Sequence, residues 1–155
     1  MAAKYWLANN PNAEITNAEV TELATISETD FDALSQLAKT ATELNQVALQ
    51  LKIVDVSTAG QVYATIPWGC TLNSVSTVLN GAITGGDAVL TVKNNAGSSA
   101  GTITIANSGS AAGDKDSLEP GSNNTFSAGD LLEIETDGGS TNTIAADITC
   151  LFTIT

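Results

Sequence analysis

Residues 71–94, TLNSVSTVLNGAITGGDAVLTVKN, contain two runs in which apolar and β-branched side chains alternate with polar ones, separated by Asn80-Gly81 and Gly85-Gly86-Asp87. Alternation with a period of two puts successive side chains on opposite faces of a strand. Val, Ile and Thr suit a pleated, half-buried surface. Within the first run, Leu72, Ser74, Ser76 and Val78 fall on one side and Val75, Thr77 and Leu79 on the other. Asn80-Gly81 is read as a hairpin turn, because a type I′ turn needs positive φ at both central residues.

The same period continues in both directions. IVDVS (53–57), QVYATIP (61–67), GTITIAN (101–107), NTFSAG (124–129), DLLEIETD (130–137) and NTIAADITCLFTIT (142–155) join the first two runs to give eight candidate strands. In DLLEIETD, Leu131, Glu133 and Glu135 point away from Leu132 and Ile134, and Asp137-Gly138 is a second hairpin signal. Strands at this spacing, separated by Gly, Asn and Asp clusters, predict a mainly β fold, a jelly-roll-like β-sandwich over residues 52–155.

Upstream the period changes. Residues 27–51, SETDFDALSQLAKTATELNQVALQL, are expected to form a helix. Ser27 with Asp30, or Thr29 with Asp32, supplies a capping box, and acidic residues crowd the first turn, where the helix dipole favours them. Leu34, Leu37, Ala41, Leu44, Ala48 and Leu51 recur at alternating steps of three and four, the spacing of a coiled-coil seam. The flanking Ala38, Thr40 and Val47 are small or apolar where a two-chain zipper carries charges, so the seam is read as joining three chains. An intramolecular helix covering a sheet is the alternative. Residues 1–26 are polar and irregular, with Tyr5, Trp6 and Leu7 as an apolar cluster of the kind that anchors interfaces. They are read as an N-terminal arm.

Composition narrows the function. Lys and Arg total 5 against 17 Asp and Glu, a net charge of −12, and the five cations are lysines 4, 39, 52, 93 and 115. Nucleic-acid binding draws its affinity from cations that displace counterions from phosphates, so no nucleic-acid partner is expected. The chain has no His. That removes Ser-His and Cys-His catalysis, His-based metal sites and the usual proton shuttle near neutral pH, and no enzymatic activity is expected. No run approaches the roughly 18 apolar residues of a membrane span. The apolar patch near the start is too short for a signal-peptide core, so export by the general route is not expected.

The remaining motifs yield little chemistry. Gly97-Ser98-Ser99-Ala100-Gly101 matches the G-x-S-x-G elbow but joins two strands in a chain without a His base. Asp114, Asp116 and Glu119 offer oxygens to calcium, yet the full alternation of ligands is missing, and the segment is read as a solvated loop with no metal. Glu133, Glu135 and Asp137 resemble paired glycosidase carboxylates, but alternate positions on an outward strand face are the ordinary place for acids. Trp68 is a sugar-stacking candidate, read instead as core or interface filler, since an aromatic content of 5% is thin for a carbohydrate-binding face. Cys70 and Cys150 are read as buried thiols, with a disulfide open if the first and last strands of the sandwich pair.

Three segments carry a resemblance: TATELNQVALQL, then QVYATIPWGCTLNSVSTVLNGAITGGDAVLTVKN, then SAGDLLEIETDGGSTNT. They are similar to parts of the head decoration (cement) or head-fibre proteins of tailed bacteriophages. That resemblance implies a homotrimer, made in the host cytoplasm and clamped to the outer capsid surface of the virion. The arm or the base of the β domain would then bridge subunits of the major capsid protein against internal DNA pressure. It implies no cofactor and no membrane partner. A tail-fibre or other host-binding, carbohydrate-binding module is the rival reading of the same fold.

Overall fold

A computed structural model describes residues 45–155, which form two antiparallel sheets packed face to face. The strands are β1 (Gln46–Ile53), β2 (Gly60–Thr65), β3 (Cys70–Leu79), β4 (Ala88–Lys93), β5 (Ser99–Ile105), β6 (Lys115–Leu118), β7 (Thr125–Phe126), β8 (Leu131–Thr136) and β9 (Ala146–Ile154). One sheet has the order β1-β9-β3-β6, with β7 also on β3; the other has the order β2-β8-β4-β5. The chain therefore passes repeatedly between the sheets, the crossing pattern of a jelly roll.

The core is the set of inward positions that the alternation produces. Leu72, Val75, Leu79, Ile148, Cys150 and Phe152 from the first sheet meet Leu90, Val92, Ile103, Ile105, Leu132 and Ile134 from the second, all buried. Phe126 and Phe152 meet edge to face, with centroids 6.0 Å apart at 81°. Such a pair is worth about 0.5–1.5 kcal/mol beyond its buried area.

Several expectations are corrected. The β unit begins at Asn45 rather than at residue 52, and the end of the expected helix is strand. In β1, Val47, Leu49, Leu51 and Ile53 turn inward while Gln46, Ala48, Gln50 and Lys52 face out. Ala48 and Leu51, read as one seam, thus lie on opposite faces, paired with Leu151 and Ile148 of β9. The period of two prevails because β9 offers β1 a full ladder of backbone hydrogen bonds, and the inward face covers the core. Residues 1–26 and the seam positions Leu34, Leu37, Ala41 and Leu44 lie outside the described residues.

Neither hairpin signal makes a hairpin, since Asn80-Gly81 follows β3 and leads to β4 in the other sheet, and Asp137-Gly138 leads from β8 to β9 across the sandwich. The positive φ does occur: Gly138 has φ 73°, and a Cβ there would lie 2.5 Å from the Ala59 amide nitrogen. The stretch 53–57 is the end of β1 and a turn instead of a separate strand. Leu72 joins the inward set because a bulge between Leu72 and Ser74 inserts Asn73 and resets the alternation. Residues 115–118, read as loop, form β6 on the edge of β3.

Candidate interaction surface

The outermost strands of the two sheets meet on both sides of the sandwich, and the two sides differ. On one, Leu118 of β6 lies against Gly101 of β5 and closes the seam. On the other, β1 and β2 leave two depressions. A groove of about 350 Å³ is bounded by Ile53, Asp55, Thr58, Gln61, Val62 and Thr136. A smaller, mostly apolar pocket of about 210 Å³ is bounded by Val47, Leu49, Thr65, Ile66, Trp68 and Phe152.

Four large hydrophobic side chains are exposed among the described residues: Val54 borders the groove, Trp68 lines the pocket, and Tyr63 and Leu131 stand on β2 and its neighbour β8. Trp68 is 38% exposed, Tyr63 52% and Leu131 43%. Tyr63 stands opposite Glu133, and Thr65 opposite Leu131, so Tyr63 and Leu131 are diagonal neighbours on the outer face of the second sheet. Trp68 follows the end of β2 directly through Ile66 and Pro67. Exposed aromatic and aliphatic side chains on and beside an edge strand that borders an apolar pocket have the make-up of a binding surface. Tyr63 had no place in the sequence reading, although its position between Val62 and Ala64 puts it outside by parity. Leu131 was already assigned outward.

Most of the carboxylates have structural duties. Asp55 accepts hydrogen bonds from the Ser57 hydroxyl (2.6 Å), the Ser57 amide (2.8 Å) and the Thr58 hydroxyl (2.9 Å). The bond from the Ser57 hydroxyl does most to hold its carboxyl below the usual range. Asp137 Oδ1 accepts from the amides of Val89 and Gly139, both at 2.9 Å. Asp87, Asp114 and Asp130 accept backbone amides of Asn107, Ala111 and Ser127 at 2.7, 2.6 and 2.7 Å. Glu133 and Glu135 share the Lys93 ammonium, at 3.5 Å for Glu133 and in closer contact for Glu135. These two carboxylates and the Lys form one ion cluster on the outer face of the second sheet. The hydrogen bond to Glu135 is the main reason the Lys93 ammonium is held above its ordinary range.

The calcium candidates are dispersed in role. Asp114 caps its own loop, Asp116 sits on β6 facing Thr77, and Glu119 lies beyond the strand. Burial, with the neighbouring Asp114 charge, pushes the Asp116 carboxyl up. Among the described residues no group of three His, Cys, Asp or Glu is placed to hold a metal ion, and no helix is long and apolar enough to cross a membrane.

Cys70 and Cys150 are free and buried. The strands that carry them do pair, but Cys70 stands opposite Ile154 and Cys150 opposite Val75, so the register holds the sulfurs apart. Burial pushes the Cys150 thiol up to about 12 and raises Cys70 as well. The Gly97–Gly101 segment is the β4–β5 hairpin and the start of β5, as its reading between two strands requires.

Among solved structures, a chain of the acid-stable capsid of Helicobacter pylori bacteriophage KHP30 matches with a TM-score of 0.50 and 14% identity, over 70% of this chain and 87% of that one. A chain of the cyanophage Pam1 capsid matches at 0.40 and 14%, over 72% and 81%. The module CsCBM6-3 of Clostridium stercorarium, solved with cellobiose, matches at 0.43 and 13%, over 72% and 83%. At this identity the KHP30 likeness establishes a shared β-sandwich fold. No family model and no curated protein matches the chain.

Proposed function

We propose that this chain is a non-enzymatic structural protein of a tailed-phage virion, a homotrimeric decoration or cement protein that binds the outside of the head and stabilises it. One observation carries the reading: most carboxylates of the sandwich are committed to turns and ion pairs, while Trp68 stands exposed on the rim of an apolar pocket with Tyr63 and Leu131 exposed on and beside the same edge strand, β2. That arrangement serves docking rather than chemistry. The capsid chain of KHP30, which shares the fold, is a precedent for a sandwich of this size in a phage head.

In this reading two elements hold the shell. Tyr5, Trp6 and Leu7 anchor the arm, and the β2 end supplies the β domain's contact with the major capsid protein. The trimer draws on Leu34, Leu37, Ala41 and Leu44, without the strand residues Ala48 and Leu51. Co-sedimentation of the purified chain with undecorated heads tests the assignment. Binding should be lost on deletion of residues 2–15 or on Trp6→Ala, with the β domain still folded. If the deletion binds heads as well as the full chain does, the anchor moves to the β domain, where Trp68→Ala becomes the deciding variant.

The exposed rings of Tyr63 and Trp68 favour one second reading, a tail-fibre or host-binding module that stacks sugars. Glycan-array binding lost in Tyr63→Ala, together with no affinity for heads, would select it.

A further inference from the structure

The sequence holds two Asx-Gly pairs, Asn80-Gly81 and Asp137-Gly138, and neither serves as a hairpin turn. An Asx residue before glycine is chemically exposed, because the nitrogen of the next residue can attack its γ-carbon and glycine has no side chain to hinder the approach. The structure treats the two pairs differently. Asp137 is held: its Oδ1 accepts from the amides of Val89 and Gly139, both at 2.9 Å, and the Gly138 amide donates to the Thr136 hydroxyl at 3.3 Å. Asn80 is exposed, and among the described residues its side chain makes no hydrogen bond and the Gly81 N–H has no acceptor.

Other asparagines of the domain are tied. Asn73, Asn123 and Asn124 donate through Nδ2 to the Thr153 hydroxyl and to the carbonyls of Ser99 and Leu72. Asn94, Asn95 and Asn142 accept the amides of Ser98, Leu131 and Thr84 at Oδ1. None of these, nor Asn45 or Asn107, precedes a glycine. The main chain around Asn80, by contrast with its side chain, is firmly built. The Asn80 amide donates to the Ala145 carbonyl at 3.0 Å, the Leu79 amide to Asp114 at 3.0 Å and the Gly113 amide to Leu79 at 2.8 Å. The end of β3 is thus anchored to the segments that lead into β6 and β9, and Ile144 Cδ1 lies 2.8 Å from where a Cβ on Gly81 would stand.

We propose that Asn80 is a spontaneous deamidation site, at which the folded domain ages and the end of β3 loosens. Asparagine is among the residues that heat degrades, and here nothing in the fold restrains it. The Gly81 nitrogen loses its proton to a solvent base and forms a bond to Asn80 Cγ. The Cγ–Nδ2 bond breaks, ammonia leaves with a proton, and a cyclic imide remains. Water then opens the ring: cleavage at Cγ leaves an aspartate with the main chain as before, and cleavage at the α-carbonyl leaves an isoaspartate whose Cβ and Cγ carry the main chain. One water is consumed and one ammonia released, and nothing is oxidised or reduced. Either product has one more negative charge. The isoaspartate also adds a carbon to the main chain between the amide fixed to Ala145 and the glycine covered by Ile144, so part of that anchorage is given up. The inference has no premise about assembly or head binding.

The test incubates the full chain in warm neutral buffer over several weeks and follows each asparagine by peptide mapping with mass spectrometry. Conversion at Asn80 should run at least about tenfold faster than at any other asparagine of residues 45–155, because it alone combines a following glycine with a free side chain. Asn80→Ser should remove that product. Asp137 should stay intact in the native chain and form isoaspartate once the chain is unfolded in guanidinium. The isoaspartate form, separated from the native mixture by ion exchange, should unfold at a lower denaturant midpoint than the unmodified chain. Three results overturn the inference: Asn80 intact in the native chain while it converts in the unfolded one, native conversion of Asp137 as fast as that of Asn80, or an isoaspartate form as stable as the unmodified chain.

Discussion

Leu118 packs its δ-methyl groups over the α-carbon of Gly101: a Cβ at residue 101 would lie 2.6 Å from Leu118 Cδ1, and the glycine has φ 146°. This contact links β5 in one sheet to β6 in the other. It closes the side of the sandwich opposite the groove and the pocket, which both lie on the β1–β2 side.

Gly101→Ala should therefore be costly on two counts, the backbone region and the displaced leucine. A loss of about 1–3 kcal/mol is expected. Chemical denaturation measures it, and Leu118→Ala in the same background should recover part of the loss by making room. A neutral Gly101→Ala would mean that β5 and β6 are not held together in this way.

Leu51 distinguishes the strand from the helix. As a half-buried residue of β1 packed on the core, it should cost about 1–2 kcal/mol when cut to alanine, through lost burial. The loss should appear in the unfolding of the β domain. Leu44→Asp, outside the described residues, should weaken assembly and leave that unfolding transition in place. If Leu51→Ala altered assembly alone, the seam would have to run through residue 51 after all.

The reason Leu51 misleads is physical. It belongs to two patterns at once, the sevenfold spacing Leu37-Leu44-Leu51 and the alternation Val47-Leu49-Leu51-Ile53, and local periodicity does not rank them. Pairing with β9, almost a hundred residues later, decides. The same holds for β6: Lys115–Leu118 is short and charged, and it becomes a strand because β3 offers an edge that needs partners. In β4, β8 and β9 the alternation alone indicates the strand, and in β8 also its two faces. Leu131 was legible as outward on that basis. The pocket beside Trp68 was not, since it is made by the ends of β1 and β2 with Phe152 of β9.

Alkaline pH should weaken the fold. The Cys150 thiol, pushed up to about 12 by burial, keeps its proton in the folded state while the unfolded chain releases it near 8.5. The folded state then binds more protons, and stability falls as pH rises through that interval. Lys93 acts in the same direction: its held proton contributes fully below about 10.4 and is lost as pH passes its raised folded value. Denaturation midpoints from pH 8 to 11 should decline, with a shallower slope in Cys150→Ala. A thiol reagent should label neither cysteine in the native chain and both after unfolding; rapid native labelling would contradict the burial.

Chelation should have no effect. Asp114 caps its own loop, Asp116 lies on β6 facing inward and Glu119 lies beyond it, so EDTA is expected to leave the melting temperature unchanged within about a degree. A fall of several degrees would reinstate these three as calcium ligands.

The central claim, that the chain is a structural component of a phage head, is tested most directly by cryo-electron microscopy of purified virions that carry it. The account predicts sandwich-shaped density, three copies to a cluster, seated on the outer capsid surface over contacts between major capsid subunits. Density at the tail tip instead, or none on the virion, would contradict it.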